Sequence, residues 1–235
     1  MDNVDVLVSV VIPVFNEALT VGNIIERLNV VMQKSGFTYE LIVVDDCSTD
    51  SSLEISKKLY ANVLSLKTHM GKGCALRAGF AKARGSVIAT IDSDGSHRPE
   101  ELPRLLAPVL RNEADLVIGS RYLSRNFSVE RKFNVAGVRL FNFLIKLLIG
   151  TTVSDSQSGY RVMKSEVLRG ICLKSREYEI ESEMLVKIAK RGFRIMEVPI
   201  SFDQRTYGTS NLDPIVDGLK ILLSIVSSFM KDGRE

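Results

Sequence analysis

Val87-Ile88-Ala89-Thr90-Ile91-Asp92-Ser93-Asp94 reads as a buried strand that ends in two carboxylates one residue apart. β-Branched and apolar residues make the strand. In an open α/β sheet, ligands bind at the carboxyl ends of such strands. Asp-X-Asp at that point presents hard anionic oxygens to a divalent cation that can bridge a diphosphate. Two acids at a loop start are also ordinary turn chemistry. The reading therefore depends on what the rest of the chain places beside them.

The chain on either side repeats one alternation. Val8–Pro13 is nearly all apolar, as in a strand covered on both faces. Leu19, Ile24, Ile25, Leu28, Val31 and Met32 recur at helical spacing up to Gly36. Leu41–Val44 makes a second strand closed by Asp45-Asp46, and Ser48-Thr49-Asp50 supplies capping chemistry for the next helix. Val63–Leu66 gives a third strand, and Lys72–Arg84 a third helix between Gly71 and Gly85. After the Asp-X-Asp strand, Pro99 opens a helix through Leu110, and Asp115–Ile118 is a fifth strand.

This alternation predicts a parallel sheet built with right-handed crossovers. Beyond Gly119 the rhythm loosens. A basic loop (Arg121, Arg125, Arg131, Lys132) leads to an apolar helix over Val135–Ile149. A short strand near Tyr160–Met163, a helix over Ile180–Lys190, a strand at Arg194–Ile200 and a long carboxy-terminal helix follow.

The 235 residues, 45% hydrophobic and 25% charged, suit one globular domain with a full core. A net charge of +3 and a pI near 8.7 permit anionic ligands but lack the concentrated basic stripe of a nucleic-acid binder. Cys47, Cys74 and Cys172 have no metal-ligand spacing and form no even disulfide framework, and the acidic start Met1–Asp5 has no signal-peptide pattern. A cytoplasmic location is expected. No uninterrupted apolar run reaches the roughly 18 residues needed to cross a bilayer. Leu140–Ile149 and Ile215–Met230, each broken by polar residues, read either as buried helices or as helices lying on a membrane.

Polar residues gather wherever a strand ends: Pro13–Glu17, Asp45-Asp46, Asp92–Asp94 and Gly119–Arg121. In a parallel sheet these ends share one edge, so the carboxylates converge on one crevice.

Ser9–Glu17, Val43–Asp50 and Asp92–Glu100 resemble glycosyltransferase family 2. Gly119–Tyr122, Asp155–Arg161, Glu197-Val198-Pro199 and Arg205–Ser210 narrow the resemblance to the dolichyl-phosphate mannose synthase and polyprenyl-phosphate glycosyltransferase branch. It runs from about residue 8 to 212. The resemblance implies a GT-A fold, a Rossmann-like and mostly parallel sheet flanked by helices. About 1–120 would form the nucleotide-sugar half and about 121–235 the acceptor half with interfacial helices. It also implies Mg2+ or Mn2+ and inverting transfer of a hexose from a nucleotide sugar to a dolichyl or polyprenyl phosphate. GDP-mannose is the expected donor, with UDP-glucose or UDP-N-acetylhexosamine as alternatives. Transfer to a saccharide hydroxyl and a non-catalytic nucleotide-sugar scaffold are the competing functions.

Carried over residue by residue, Pro13, Phe15 and Glu17 would cradle the nucleoside, with Asp45 beside base or ribose. Val44, Asp46 and Ser93 join the donor-binding set, although Asp46 equally reads as a helix cap. Asp94 is the expected direct metal ligand. Asp92 shares the metal or holds ribose and diphosphate through water, and Ser96 is a weak third ligand. His97 reads as a turn residue and His69 as plain loop. Gly71-Lys72-Gly73 opens a helix whose N–H groups can face an anion, with Lys72 adding a point charge or simply being solvated.

Arg121 and Arg205, with Arg131, would hold the acceptor phosphate. Asp92, Asp94, Arg121 and Arg205 make the expected catalytic set. Asp155 reads as a general base or as a structural turn acid; an ionised phosphate acceptor needs no strong base. Gly208-Thr209-Ser210-Asn211 departs from the Gly-X-Ser-Lys common in the family and removes one cation. A membrane surface, a separate anchoring subunit or a second copy are the expected partners of the apolar helices.

Overall fold

Strand β1 (Leu7–Val14) is almost wholly apolar because it lies deep in the sheet, paired in parallel with β2 (Thr38–Asp45) on one side and β4 (Val87–Thr90) on the other. In the computed structural model, residues 7–59, 62–123, 132–203 and 215–230 are described. With β3 (Asn62–Ser65), β5 (Leu116–Ser120), β6 (Arg161–Lys164) and β7 (Ile195–Pro199), these strands form one sheet in the order β3-β2-β1-β4-β6-β5-β7.

Successive side chains of a strand point to opposite faces, and each face has its own helical layer. Val8, Val10, Ile12 and Val14 pack with α1 (Val21–Ser35) and α4 (Leu102–Leu110). Val21, Ile24, Ile25, Leu28 and Met32 make the buried stripe of α1, and burying each contributes about 1.5–3 kcal/mol. Val11 faces the other layer, built from α3 (Lys72–Lys82), α5 (Lys132–Ile149), α7 (Ile180–Lys190) and α8 (Val216–Met230). Helix α3 sits so close to β1 that a Cβ on Gly79 would fall 2.3 Å from Val11 Cγ1. Val44 belongs to this layer, fully buried. That corrects its placement among donor-binding residues: its side chain fills the core beneath the crevice. Short α2 (Ser52–Lys58) and α6 (Ser165–Arg169) complete the α-helices among the described residues, and Pro99–Glu101 forms a 3-10 turn leading into α4.

The sheet is mostly parallel, as expected, with β6 running antiparallel between β4 and β5. The reason lies in where the chain enters it. Residues 154–160 form a turn at the carboxyl edge, tied to Ser120 and Glu197, so β6 runs back down from that edge. The turn itself is thereby delivered to the crevice.

Helices α5 and α8 each carry two apolar faces. Phe141, Ile145, Ile221 and Ile225 pack into the core, whereas Leu140, Phe143, Leu147, Leu219, Leu223 and Met230 are exposed. Asp217 of α8 is buried and paired with Lys220 at 2.9 Å. Among the described residues, no helix is long and apolar enough to cross a membrane.

Candidate active site

The end of β4 is fixed before any ligand arrives. Ser93 is buried and its hydroxyl donates to the Pro13 carbonyl at 2.8 Å, locking the loop to the end of β1. Asp94 Oδ1 accepts the Ser96 amide at 3.0 Å and the Ser96 hydroxyl at 2.6 Å. Ser96 is buried and its hydroxyl donates to Asp94, so it supports that carboxylate. Gly95 takes φ +78°, the left-handed geometry this turn requires.

Asp92 lies against the 154–160 turn so closely that a Cβ on Gly159 would fall 2.5 Å from its Oδ2. Its Oδ1 is 2.7 Å from Lys72 Nζ, and the same ammonium is 2.7 Å from Glu181 Oε1 at the start of α7. Burial opposes this charge, but attraction to Asp92 and Glu181 outweighs it and raises the Lys72 pKa. Lys72 is therefore half-buried and bridges two carboxylates rather than standing solvated. Arg161, fully buried, donates to the carbonyls of Ser156, Ser158 and Glu181 and ties the turn to α7.

Arg121, after β5, meets Asp155 side-on: Nε and Nη2 each donate at 2.7 Å, and the Arg121 amide donates at 3.1 Å. Burial disfavours the guanidinium charge, yet the Asp155 pair holds its pKa above the ordinary value. Asp155 is fully buried and occupied by this pair, which supports the structural role over the general base. Glu197 on β7 accepts the amides of Ser154 and Asp155, and Asn142 of α5 clamps the same turn through Ser154 and Ser156.

On the β1 and β2 side, Phe15 stacks on His69 with centroids 3.9 Å apart and planes 20° from parallel. Asp46 is 2.8 Å from His69 Nδ1 and accepts the amides of Met70 and Gly71. It pins the loop before α3 and does not cap α2, where Asp50 accepts the Ser52 amide. Asp45 is buried and accepts from the Ser48 amide and the Ser65 hydroxyl. The Glu17 carboxylate meets the Thr20 hydroxyl at 3.1 Å, and the Pro13 carbonyl closes β1.

His97 is the largest departure from expectation. It is buried against Tyr160 and Phe202, 3.9 Å from Asp92, and burial holds its pKa below the usual value. Glu181 and His69 carried no sequence signal, because only their long-range partners mark them. Arg131 and Arg205 lie outside the described residues.

Asp92 and Asp94 fit a divalent cation as hard oxygen donors. Mg2+ is commonly held by one or two carboxylates together with substrate phosphates. Among the described residues no group of three or more His, Cys, Asp or Glu side chains could hold a metal ion by itself.

The model of glycosyl transferase family 2 matches residues 9–172. The chain is 34% identical over 217 residues to the undecaprenyl-phosphate mannosyltransferase of Micrococcus luteus, covering 86% of each chain. It is 32% identical over 213 residues to the dolichol-phosphate mannosyltransferase of Pyrococcus furiosus, covering 87% of this chain but only 59% of that one. In fold it is similar to the glucosyl-3-phosphoglycerate synthase of Mycobacterium tuberculosis, solved with Mn2+, uridine diphosphate and phosphoglyceric acid. That likeness has a TM-score of 0.76 and 22% identity, and covers 97% of this chain and 80% of that one. The matched motifs hold the Asp-X-Asp loop, Lys72, Arg121 and the 154–160 turn at one sheet edge, and this chain belongs to glycosyl transferase family 2.

Proposed function

We propose that the protein transfers a mannosyl group from GDP-mannose to a polyprenyl phosphate at the cytoplasmic surface of a membrane. The observation that carries this reading is the Arg121–Asp155 pair beside Asp92, with the exposed apolar face of α5 one hydrogen bond away through Asn142. A phosphate acceptor calls for a fixed cation near the donor carboxylates, and a lipid tail calls for apolar surface nearby. The Micrococcus luteus and Pyrococcus furiosus relatives are named for mannosyl transfer to such lipid phosphates.

In this reading, residues before about 120 hold the donor. Phe15, Glu17 and Asp45 face the nucleoside, and Asp92 and Asp94 would hold Mg2+ or Mn2+. That cation would neutralise charge on the departing diphosphate. Arg121 orients the acceptor phosphate, whose oxygen attacks the anomeric carbon as the bond to the nucleoside diphosphate breaks, inverting the configuration. Arginine suits this task because its planar fork binds phosphate with two parallel hydrogen bonds. Arg131 and Arg205 would add to the same phosphate site. The exposed residues of α5 and α8 would rest on the bilayer interface.

The test is a panel of labelled nucleotide sugars offered with polyprenyl phosphate in vesicles. Organic-phase label from GDP-mannose supports the reading. Label only from UDP-glucose or UDP-N-acetylhexosamine moves the donor, and label only on water-soluble acceptors refutes the lipid phosphate.

A further inference from the structure

The exit of β7 is stitched onto the loop that carries the two aspartates. Phe202 pairs with His97 in an antiparallel bridge, and the Asp203 amide donates to the Ser96 carbonyl at 2.9 Å. Arg98 grips the Asp203 carboxylate side-on at 2.7 and 2.8 Å. One step earlier the Ser201 amide donates to the Glu101 carboxylate, and Arg104 donates to the Pro199 carbonyl. Two segments about a hundred residues apart thus form one block.

Phe202 is the part of this block that looks into the crevice. Its ring lies 5.1 Å from the Arg121 guanidinium carbon, and it meets the His97 ring at 5.5 Å and 68°, an edge-on contact. Phe202 remains 43% exposed, whereas His97 beneath it is 2% exposed and neither ring nitrogen has a hydrogen-bond partner among the described residues. The imidazole is therefore held by its ring contacts, and Phe202 supplies one of them. Asp155 engages Nε and Nη2 of Arg121 from one side. The Phe202 ring restrains the guanidinium separately, through cation–π attraction.

We propose that Phe202 is a positioning residue that aims Arg121 at the acceptor phosphate and couples it, through His97, to the Asp92–Asp94 loop. A phenyl ring meets the requirement because it offers a negative face to the cation and an edge to a second ring at once. An aliphatic side chain fills the volume and supplies neither. This inference rests on the reading that Arg121 receives a phosphate.

The test compares Phe202→Ala, Phe202→Leu and Phe202→Tyr in the full chain. Acceptor KM and kcat are measured with polyprenyl phosphate in vesicles, nucleotide affinity by calorimetry, and folding by thermal melting. The alanine and leucine variants should lose about 2- to 30-fold in acceptor kcat/KM, the range of a cation–π contact. Nucleotide affinity should stay within about twofold, and the tyrosine variant should recover transfer. Full transfer by the leucine variant, or an equal fall in nucleotide affinity, overturns the proposal. If alanine prevents folding, leucine against tyrosine decides. If the wild-type chain transfers nothing to a polyprenyl phosphate, the functional reading fails on its own. Calorimetric binding of inorganic phosphate with nucleoside diphosphate present then decides the inference. Weaker phosphate binding in the leucine variant than in the tyrosine variant sustains it, and equal binding ends it.

Discussion

Replacing Asp155 with asparagine removes one charge from an enclosed ion pair of the site. The carboxylate is fully buried and receives three donors from Arg121, two at 2.7 Å and one at 3.1 Å. Breaking one partner of a buried pair costs about 3–5 kcal/mol because the other charge is left in a poor solvent. The Arg121 side chain keeps 19% of its exposure, so water restores part of its solvation, and asparagine still accepts one bond. About 2–3 kcal/mol is therefore expected. At about 2–4 °C per kcal/mol for a chain of this size, Tm should fall by about 4–12 °C. Transfer should fall as well, because Arg121 loses its aim. Thermal melting and acceptor kinetics on the same preparation separate the effects. The double variant Arg121→Met, Asp155→Leu should regain most of the stability, since apolar residues can replace a buried pair, yet remain inactive. Asp155→Asn melting within about 2 °C of wild type with full transfer would refute the reasoning. Lost turnover at unchanged Tm would instead restore the general-base role.

Lys72→Met should strand the Glu181 carboxylate in the interior and cost about 2–4 kcal/mol, with Lys72→Met, Glu181→Gln recovering much of it; urea unfolding reads both. Asp115, held chiefly by its hydrogen bonds from Arg194 and also by Lys164, has its carboxyl below the usual range. Its contribution is present above the unfolded pKa of roughly 3.9 and is lost as pH falls through the lower folded value. Asp115→Asn should therefore lose about 1–3 kcal/mol at pH 7, and the gap to wild type should narrow in strong acid when unfolding is followed by urea titration. Leu219→Glu with Leu223→Glu, on the exposed side of α8, should abolish flotation with anionic vesicles while leaving Tm nearly unchanged; flotation equal to wild type would remove α8 from the membrane surface.

The strands were legible because a central parallel strand must be apolar on both faces, and Val8–Pro13 and Val87–Ile91 are. The crevice was legible because acids at successive strand ends can only converge. The direction of β6 was not, since four residues with polar ends fit either polarity and the turn at 154–160 decides it. Lys72 looked like any helix-start lysine. Its meaning comes from Glu181, more than a hundred residues away, and sequence spacing carries no trace of that contact. His97 misled for a related reason: histidine in an Asp- and Gly-rich turn suggests solvent, but the return of Phe202 across the loop buries it. Val44 misled in the opposite way. Neighbouring Asp45 is polar at the strand end, and the alternation of side chains sends Val44 into the core.

The central claim is best tested by incubating the full chain with labelled GDP-mannose, Mg2+ or Mn2+ and polyprenyl phosphate in vesicles, alongside Asp94→Ala. Label in the lipid phase that requires the metal and disappears in the variant is expected, while the variant stays folded with a Tm lowered by about 2–12 °C for the Ser96 donors left unpaired. A lipid product formed equally well by Asp94→Ala, or no lipid product from wild type with any nucleotide sugar, would contradict it.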